Sequence, residues 1–98
     1  MSQLLLLTSQ GCTPCLRVKR ILTELQTEFP GISIEELEYT SSQGSKLAIE
    51  NNIAYPPAVF LNGKLIAKGK IYPEQIVGAI HSDENLNEKA TTGVMESR

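Results

Sequence analysis

The stretch Gln3-Leu4-Leu5-Leu6-Leu7-Thr8 restricts the fold of this chain more than any other segment. It is short, and its apolar core is continuous rather than alternating. A run of that kind suits a strand covered on both faces, which requires packing layers above and below it. Ser9-Gln10-Gly11 ends the run, and a helical stripe follows: Val18, Ile21, Leu22, Leu25 and Phe29 fall on one face. Arg20 and Glu24 lie off that face and are spaced as an i,i+4 pair. Pro30-Gly31 stops the helix. The chain's two cysteines, Cys12 and Cys15, sit at the junction between strand and helix.

The rest of the chain alternates in the same way. Ile32 to Tyr39 reads as a second strand, although Ile32 and Ile34 fall on one parity and Leu37 and Tyr39 on the other. That switch predicts a bulge or a short strand. Ser41-Ser42 offers an N-cap for a short helix through Leu47, Ala48 and Ile49, and Asn52 suits a left-handed position after it. Ala58 to Leu61 and Lys64 to Lys68 are two apolar runs joined by Asn62-Gly63, a strong hairpin signal because both turn residues tolerate positive φ. Pro73 at a first helical position, Glu74 near the positive end of the dipole, and Ile76, Val77 and Ile80 predict a final short helix. From Ser82 to Arg98 the apolar pattern fades. The expected organisation is one domain over 1–81 and a polar, disordered tail over 82–98.

Net charge is -2, from 9 basic and 11 acidic residues. Nucleic-acid binders carry concentrated positive charge, so no such partner is expected. The apolar run at Leu4–Leu7 is far too short for a membrane span. With no basic residue ahead of it, it does not read as a secretory signal. These features predict a soluble cytoplasmic protein in which thiols start reduced. Hydrophobic residues make up 41% of the chain, with three Tyr, two Phe and no Trp, so the core is mostly aliphatic.

In a reducing compartment, a close cysteine pair points to redox or metal chemistry. Cys12 belongs at or just before the first helical turn, where the dipole favours a thiolate. Cys15, one turn later, returns to the same face and is within bonding reach. The earlier and more exposed thiol meets a disulfide partner first, so Cys12 is the candidate nucleophile and Cys15 the resolving thiol. Pro14 fits the first turn, where its missing N–H is not needed. Two other readings stay open. Both thiols can be inert core residues. Alternatively they can hold zinc, completed by carboxylates or by a second chain because His81 is distant in sequence, or an iron–sulfur cluster shared between two chains.

Cys12-Thr13-Pro14-Cys15 after a strand, followed by Tyr55-Pro56-Pro57-Ala58-Val59-Phe60-Leu61-Asn62-Gly63, resembles the thioredoxin superfamily. The short spacing from Pro57 to Asn62-Gly63, and a chain that opens directly on the strand before the cysteines, resemble glutaredoxin-like members. The Thr-Pro pair between the cysteines resembles thioredoxin itself. The resemblance runs from about Gln3 to His81. It implies a minimal α/β thioredoxin fold of order β-α-β-α-β-β-α, with a four-stranded mixed sheet flanked by three helices. It also implies a cis proline facing the cysteines, which by register is Pro57.

The implied activity is thiol–disulfide exchange, as a protein disulfide reductase or electron carrier, with Cys12 and Cys15 catalytic. Thr13, Pro14, Tyr55, Pro56 and Pro57 are the implied substrate-binding residues. The redox-active disulfide is the only cofactor expected, with no metal. Partners are a disulfide-bearing protein or small thiol, and a reductase or glutathione as electron donor, with the protein a monomer. A glutathione-dependent glutaredoxin and a non-catalytic redox or metal module are the alternatives.

Several residues depart from the family pattern. The residue before the cis proline normally pairs its backbone with substrate, yet Pro56 has no N–H to donate. Glutathione-binding members carry a Gly-Gly turn and a nearby acidic residue after the hairpin; here the sequence is Ala67-Lys68-Gly69-Lys70. No Trp precedes Cys12, and the buried acid of thioredoxins has no evident counterpart, the sole aspartate being Asp83. Arg17, Lys19 and Lys68 or Lys70 are candidates to add positive charge near Cys12. Lys19 reads first as a solvated residue, and His81 as a cap at a helix C-terminus.

Overall fold

The computed structural model describes the backbone of residues 2–92 and the side chains of residues 2–82. Seven elements follow the predicted order: β1 (Gln3–Thr8), α1 (Thr13–Glu28), β2 (Ser33–Glu38), α2 (Ser42–Glu50), β3 (Ala58–Leu61), β4 (Lys64–Lys68) and α3 (Pro73–Thr92). The strands form one sheet in the order β2-β1-β3-β4. β1 runs parallel to β2 and antiparallel to β3, and β3 is antiparallel to β4.

The apolar runs occupy the two central positions, β1 and β3. Successive side chains of a strand point to opposite faces, so these runs feed two cores. Leu4, Leu6, Val59 and Leu61 pack with Val18, Ile21, Leu22 and Leu25 of α1 and Ile76 and Ile80 of α3. Leu7, Ala58 and Phe60 pack on the opposite face with Ala48 of α2 and Ile53. A strand supplying both cores has no polar face, which is why the β1 sequence does not alternate.

Of the two alternatives expected for β2, a bulge or a short strand, the bulge is absent. β2 pairs with β1 in unbroken register from Gln3↔Ser33 to Thr8↔Glu38. The parity switch arises because this edge strand supplies both cores in turn. Ile32 and Ile34 join the α1 face, and Leu37 and Tyr39 join the α2 face. The irregularity lies in the hairpin instead. Val59 pairs with Ala67 and Phe60 with Leu65, so Ile66 is the extra residue. The bulge lets Ile66 and Ala67, neighbours in sequence, face the same core.

The turn and cap signals are realised. Ser41 caps α2 by accepting a bond from the Gly44 N–H at 3.0 Å. Asn52 and Asn62 have φ of 56° and 50°, and Gly63 of 86°. The left-handed pair at Asn62-Gly63 makes the tight turn between β3 and β4.

The last helix corrects the boundary expected near His81. α3 continues through Thr92. Glu84, Leu86, Glu88, Lys89 and Ala90 all favour helix, and no Gly or Pro interrupts the segment before Gly93. Fading apolarity therefore does not mark the end of the helix. His81 lies inside α3 and not at its end, so it caps nothing. Its ring meets Phe29 edge-on at 6.0 Å. The expectation for 93–98 lies outside the described residues.

Candidate functional site

The site is built at the end of β1, where the chain turns through Ser9-Gln10-Gly11 into α1. Gly11 takes φ of 74°, a value that favours glycine. The Cys12 N–H donates to the Ser9 carbonyl at 3.3 Å, closing the turn. Cys12 is the N-cap of α1, with extended backbone angles of -85° and 101°. Its Sγ accepts a bond from the Cys15 N–H at 3.1 Å, and its carbonyl accepts from Leu16 N–H at 3.2 Å. Sulfur thus takes the capping place usually held by an oxygen. Pro14 lies in the first turn, where no N–H is missed.

The two cysteines are joined as a disulfide with Cα atoms 5.2 Å apart. Their exposures differ. Cys12 is partly exposed, whereas Cys15 is 2% exposed beneath the helix start. Thr13 and Pro14 are exposed between them. An open depression of about 240 Å³ borders the pair, lined by the β1 end and its turn, by Leu16 and Lys19 of α1, and by Glu36 and Glu38 of β2.

The second predicted segment arrives at the same end of the sheet. Ala58 pairs with Leu7, so Pro56-Pro57 lies beside the turn that leads to Cys12. The Pro56–Pro57 peptide is cis. Pro57 is buried and Pro56 half-buried. The Pro57 carbonyl accepts the Gly69 N–H at 3.0 Å, which ties this loop to the end of β4. Tyr55 is 67% exposed and does not border the cysteine depression. It lines a separate depression of about 300 Å³ with Asn52, Ile53, Ala54, Lys68 and Gly69.

Of the four basic candidates, Lys19 alone borders the cysteine depression. Its ammonium pairs with Glu36 at 3.1 Å, though both side chains stay substantially exposed, so it is solvated but not free. Arg17 turns away to donate to the Ile71 carbonyl at 2.9 Å and lies over the Tyr72 ring. Lys68 donates to the Asn52 carbonyl at 3.2 Å. Lys70 is exposed. Sequence reasoning missed Leu16, Glu36 and Glu38. Leu16 is 66% exposed beside the buried cysteine, and its place off the α1 stripe was the available signal. Among the described residues no polar side chain is buried, and no group of three or more His, Cys, Asp or Glu is placed to hold a metal ion.

A glutaredoxin family model matches residues 4–66, most of the chain and all of the elements that build this site. The chain belongs to the glutaredoxin family. Solved thioredoxin structures resemble it in fold. Thioredoxin O2 from Arabidopsis thaliana, in its oxidized state, aligns with a TM-score of 0.62 at 14% identity, covering 84% of this chain and 74% of that one. Mitochondrial thioredoxin 3 from Saccharomyces cerevisiae, also oxidized, aligns with a TM-score of 0.61 at 21% identity, covering 83% and 77%. A malarial protein aligns with a TM-score of 0.63 at 15% identity, covering 84% and 96%. No curated protein matches in sequence. The glutaredoxin match ends just before Ala67-Lys68-Gly69-Lys70, the segment that departs from the glutathione-binding turn. The fold and the paired cysteines are those of thiol–disulfide oxidoreductases in general. No helix among the described residues is long and apolar enough to cross a membrane.

Proposed function

We propose that this glutaredoxin-family protein is a cytoplasmic protein disulfide reductase or electron carrier in which Cys12 attacks and Cys15 resolves. The observation that carries this reading is the contrast between the two sulfurs. Cys12 is partly exposed at the helix N-terminus, with an N–H directed at it, whereas Cys15 is buried. That N–H and the helix dipole both favour a Cys12 thiolate. The thiolate attacks a partner disulfide, giving a Cys12–partner bond and releasing one partner thiolate. Cys15 then attacks Cys12 Sγ, forms the internal disulfide and releases the second partner thiol. Two electrons pass from the dithiol to the partner.

Thr13 and Pro14 form the exposed lip between the sulfurs. Pro56 supplies neighbouring surface for the partner, with the buried Pro57 setting the course of the loop behind it. Since Pro56 has no N–H, its carbonyl is the only backbone hydrogen-bonding group it offers an incoming peptide. Tyr55 and Lys68 extend that surface into the second depression. Family membership favours a second reading, in which glutathione is the electron donor; the altered turn at Ala67 to Lys70 weighs against it.

Disulfide reduction assayed with Cys12→Ser and Cys15→Ser tests the assignment. Cys12→Ser abolishes reduction, and Cys15→Ser accumulates mixed disulfides through Cys12. A Cys12→Ser protein that still reduces disulfides overturns the reading. Running the wild type with glutathione alone and with a thioredoxin-type reductase alone separates the two donors.

A further inference from the structure

β2 carries an anomaly that its packing does not explain. Its α1-covered face begins apolar, with Ile32 and Ile34 in the core. The same parity then continues as Glu36 and Glu38, which border the cysteine depression. A strand face that turns acidic where it approaches a reactive pair breaks the local apolar pattern, and such breaks concentrate at functional sites.

Two contacts fix the register between α1 and β2. The Gln26 side chain donates to the Ile32 carbonyl at 3.0 Å, and Lys19 pairs with Glu36 at 3.1 Å. The helix therefore runs antiparallel to the strand: going back along α1 corresponds to going forward along β2. One turn back from Lys19 is Cys15, a rise of about 6 Å. Two residues forward from Glu36 is Glu38, a rise of about 6.6 Å. Cys15 and Glu38 consequently lie at matching levels across the depression, next to the pair that Lys19 and Glu36 make.

Cys15 has a proton problem. At 2% exposure its thiol has little direct access to bulk water, yet it must lose its proton to attack Cys12. The titratable or charged groups lining the depression are Cys12, Cys15 and Lys19 from α1 and Glu36 and Glu38 from β2. The β1 end contributes Thr8, Ser9, Gln10 and Gly11, none of which is charged. Lys19 is a cation and Glu36 is held by it. The Glu38 carboxylate accepts a bond from the Thr40 hydroxyl at 3.3 Å. A depression of about 240 Å³ has room for a water between carboxylate and thiol, which is a workable path for general-base catalysis.

We propose that Glu38 is the proton acceptor for Cys15 in the resolving step, with the Lys19–Glu36 pair fixing the spacing of α1 and β2 around it. The inference rests on the dithiol reading above. In the step, the Cys15 proton passes to the Glu38 carboxylate. The Cys15 thiolate attacks Cys12 Sγ, the Cys12–partner bond breaks and the partner thiolate leaves. Glu38 then returns its proton to the departing thiolate or to solvent, and the partner disulfide is the only oxidant required.

Stopped-flow reaction of the reduced full chain with the aromatic disulfide DTNB tests this, because each step releases one coloured nitrothiobenzoate. The first release reports attack by Cys12 and the second reports attack by Cys15. Glu38→Gln is expected to slow the second release about ten-fold or more near pH 7, to leave the first within about two-fold, and to move the pH profile of the second release upward. Glu38→Asp is expected to restore part of the second rate. A Glu38→Gln protein with an unchanged second release across pH overturns the proposal. So does an equal slowing of both releases, which makes Glu38 structural or a partner of Cys12. A wild-type protein that gives a first release but no second overturns the dithiol reading itself, and the inference with it.

Discussion

Two chemically identical cysteines acquire different surroundings here from a difference of one helical turn. Cys12 is the N-cap and receives the Cys15 N–H, while Cys15 lies under the helix. An anion at Cys12 is stabilised by that N–H and by the dipole; an anion at Cys15 is opposed by burial. In the reduced protein, Cys12 is expected to react with iodoacetamide with a midpoint below the roughly pH 8.5 of an ordinary cysteine, and Cys15 to react far more slowly at every pH. Mass spectrometry of the alkylated peptides reads both, and preferential labelling of Cys15 contradicts the assignment. The cysteine pair was legible in the sequence because an apolar run, a Gly and a helical stripe bracket it. Glu38 was not, because a charged residue in a strand sequence reads as solvent-facing unless the opposing helix is known. Tyr55 was singled out by its place beside Pro56-Pro57, but sequence proximity to the proline did not place it at the cysteines.

Among the elements, α2 shows how a local rule can be outweighed. Gly44 sits in its first turn, where alanine normally favours helix by up to about 1 kcal/mol. A Cβ at Gly44 overlaps the Glu38 carbonyl, a backbone group that cannot swing aside. Gly44→Ala is therefore expected to lower stability by about 1–3 kcal/mol, read from urea unfolding; a gain in stability contradicts the packing described. The cap at Ser41, the helix start at Pro73 and the Asn62-Gly63 turn were legible because each depends on one or two residues with particular backbone preferences. The β2 parity, the Ile66 bulge and the reach of α3 were not. Leu65, Ile66 and Ala67 are all apolar, so nothing in their order marks the extra residue. The Glu, Asn and Lys residues after His81 are polar yet helix-compatible, so polarity alone gave the wrong stopping point.

Across the whole molecule, the mixed sheet order β2-β1-β3-β4 brings the start of α1 and the start of β3 to one end. That convergence gathers Cys12, Cys15 and Pro57 from segments far apart in the chain. Part of the topology was legible, because the apolar run at Leu4–Leu7 calls for a central strand under covering helices and the family resemblance implied a four-stranded mixed sheet; the spatial order of the strands was not, since periodicity carries no information on which strands are neighbours. The depression beside the cysteines was not legible, since it depends on how α1 sits over β2. The convergence at this end of the sheet serves the proposed reversible dithiol couple of Cys12 and Cys15. Its most direct test is equilibration of the metal-free protein in a series of glutathione redox buffers, followed by alkylation and intact-mass counting of free thiols. A single two-electron transition between two free thiols and none is expected, with a midpoint in the roughly -270 to -200 mV range of thioredoxins and glutaredoxins. Two thiols that stay free across the whole series would contradict it.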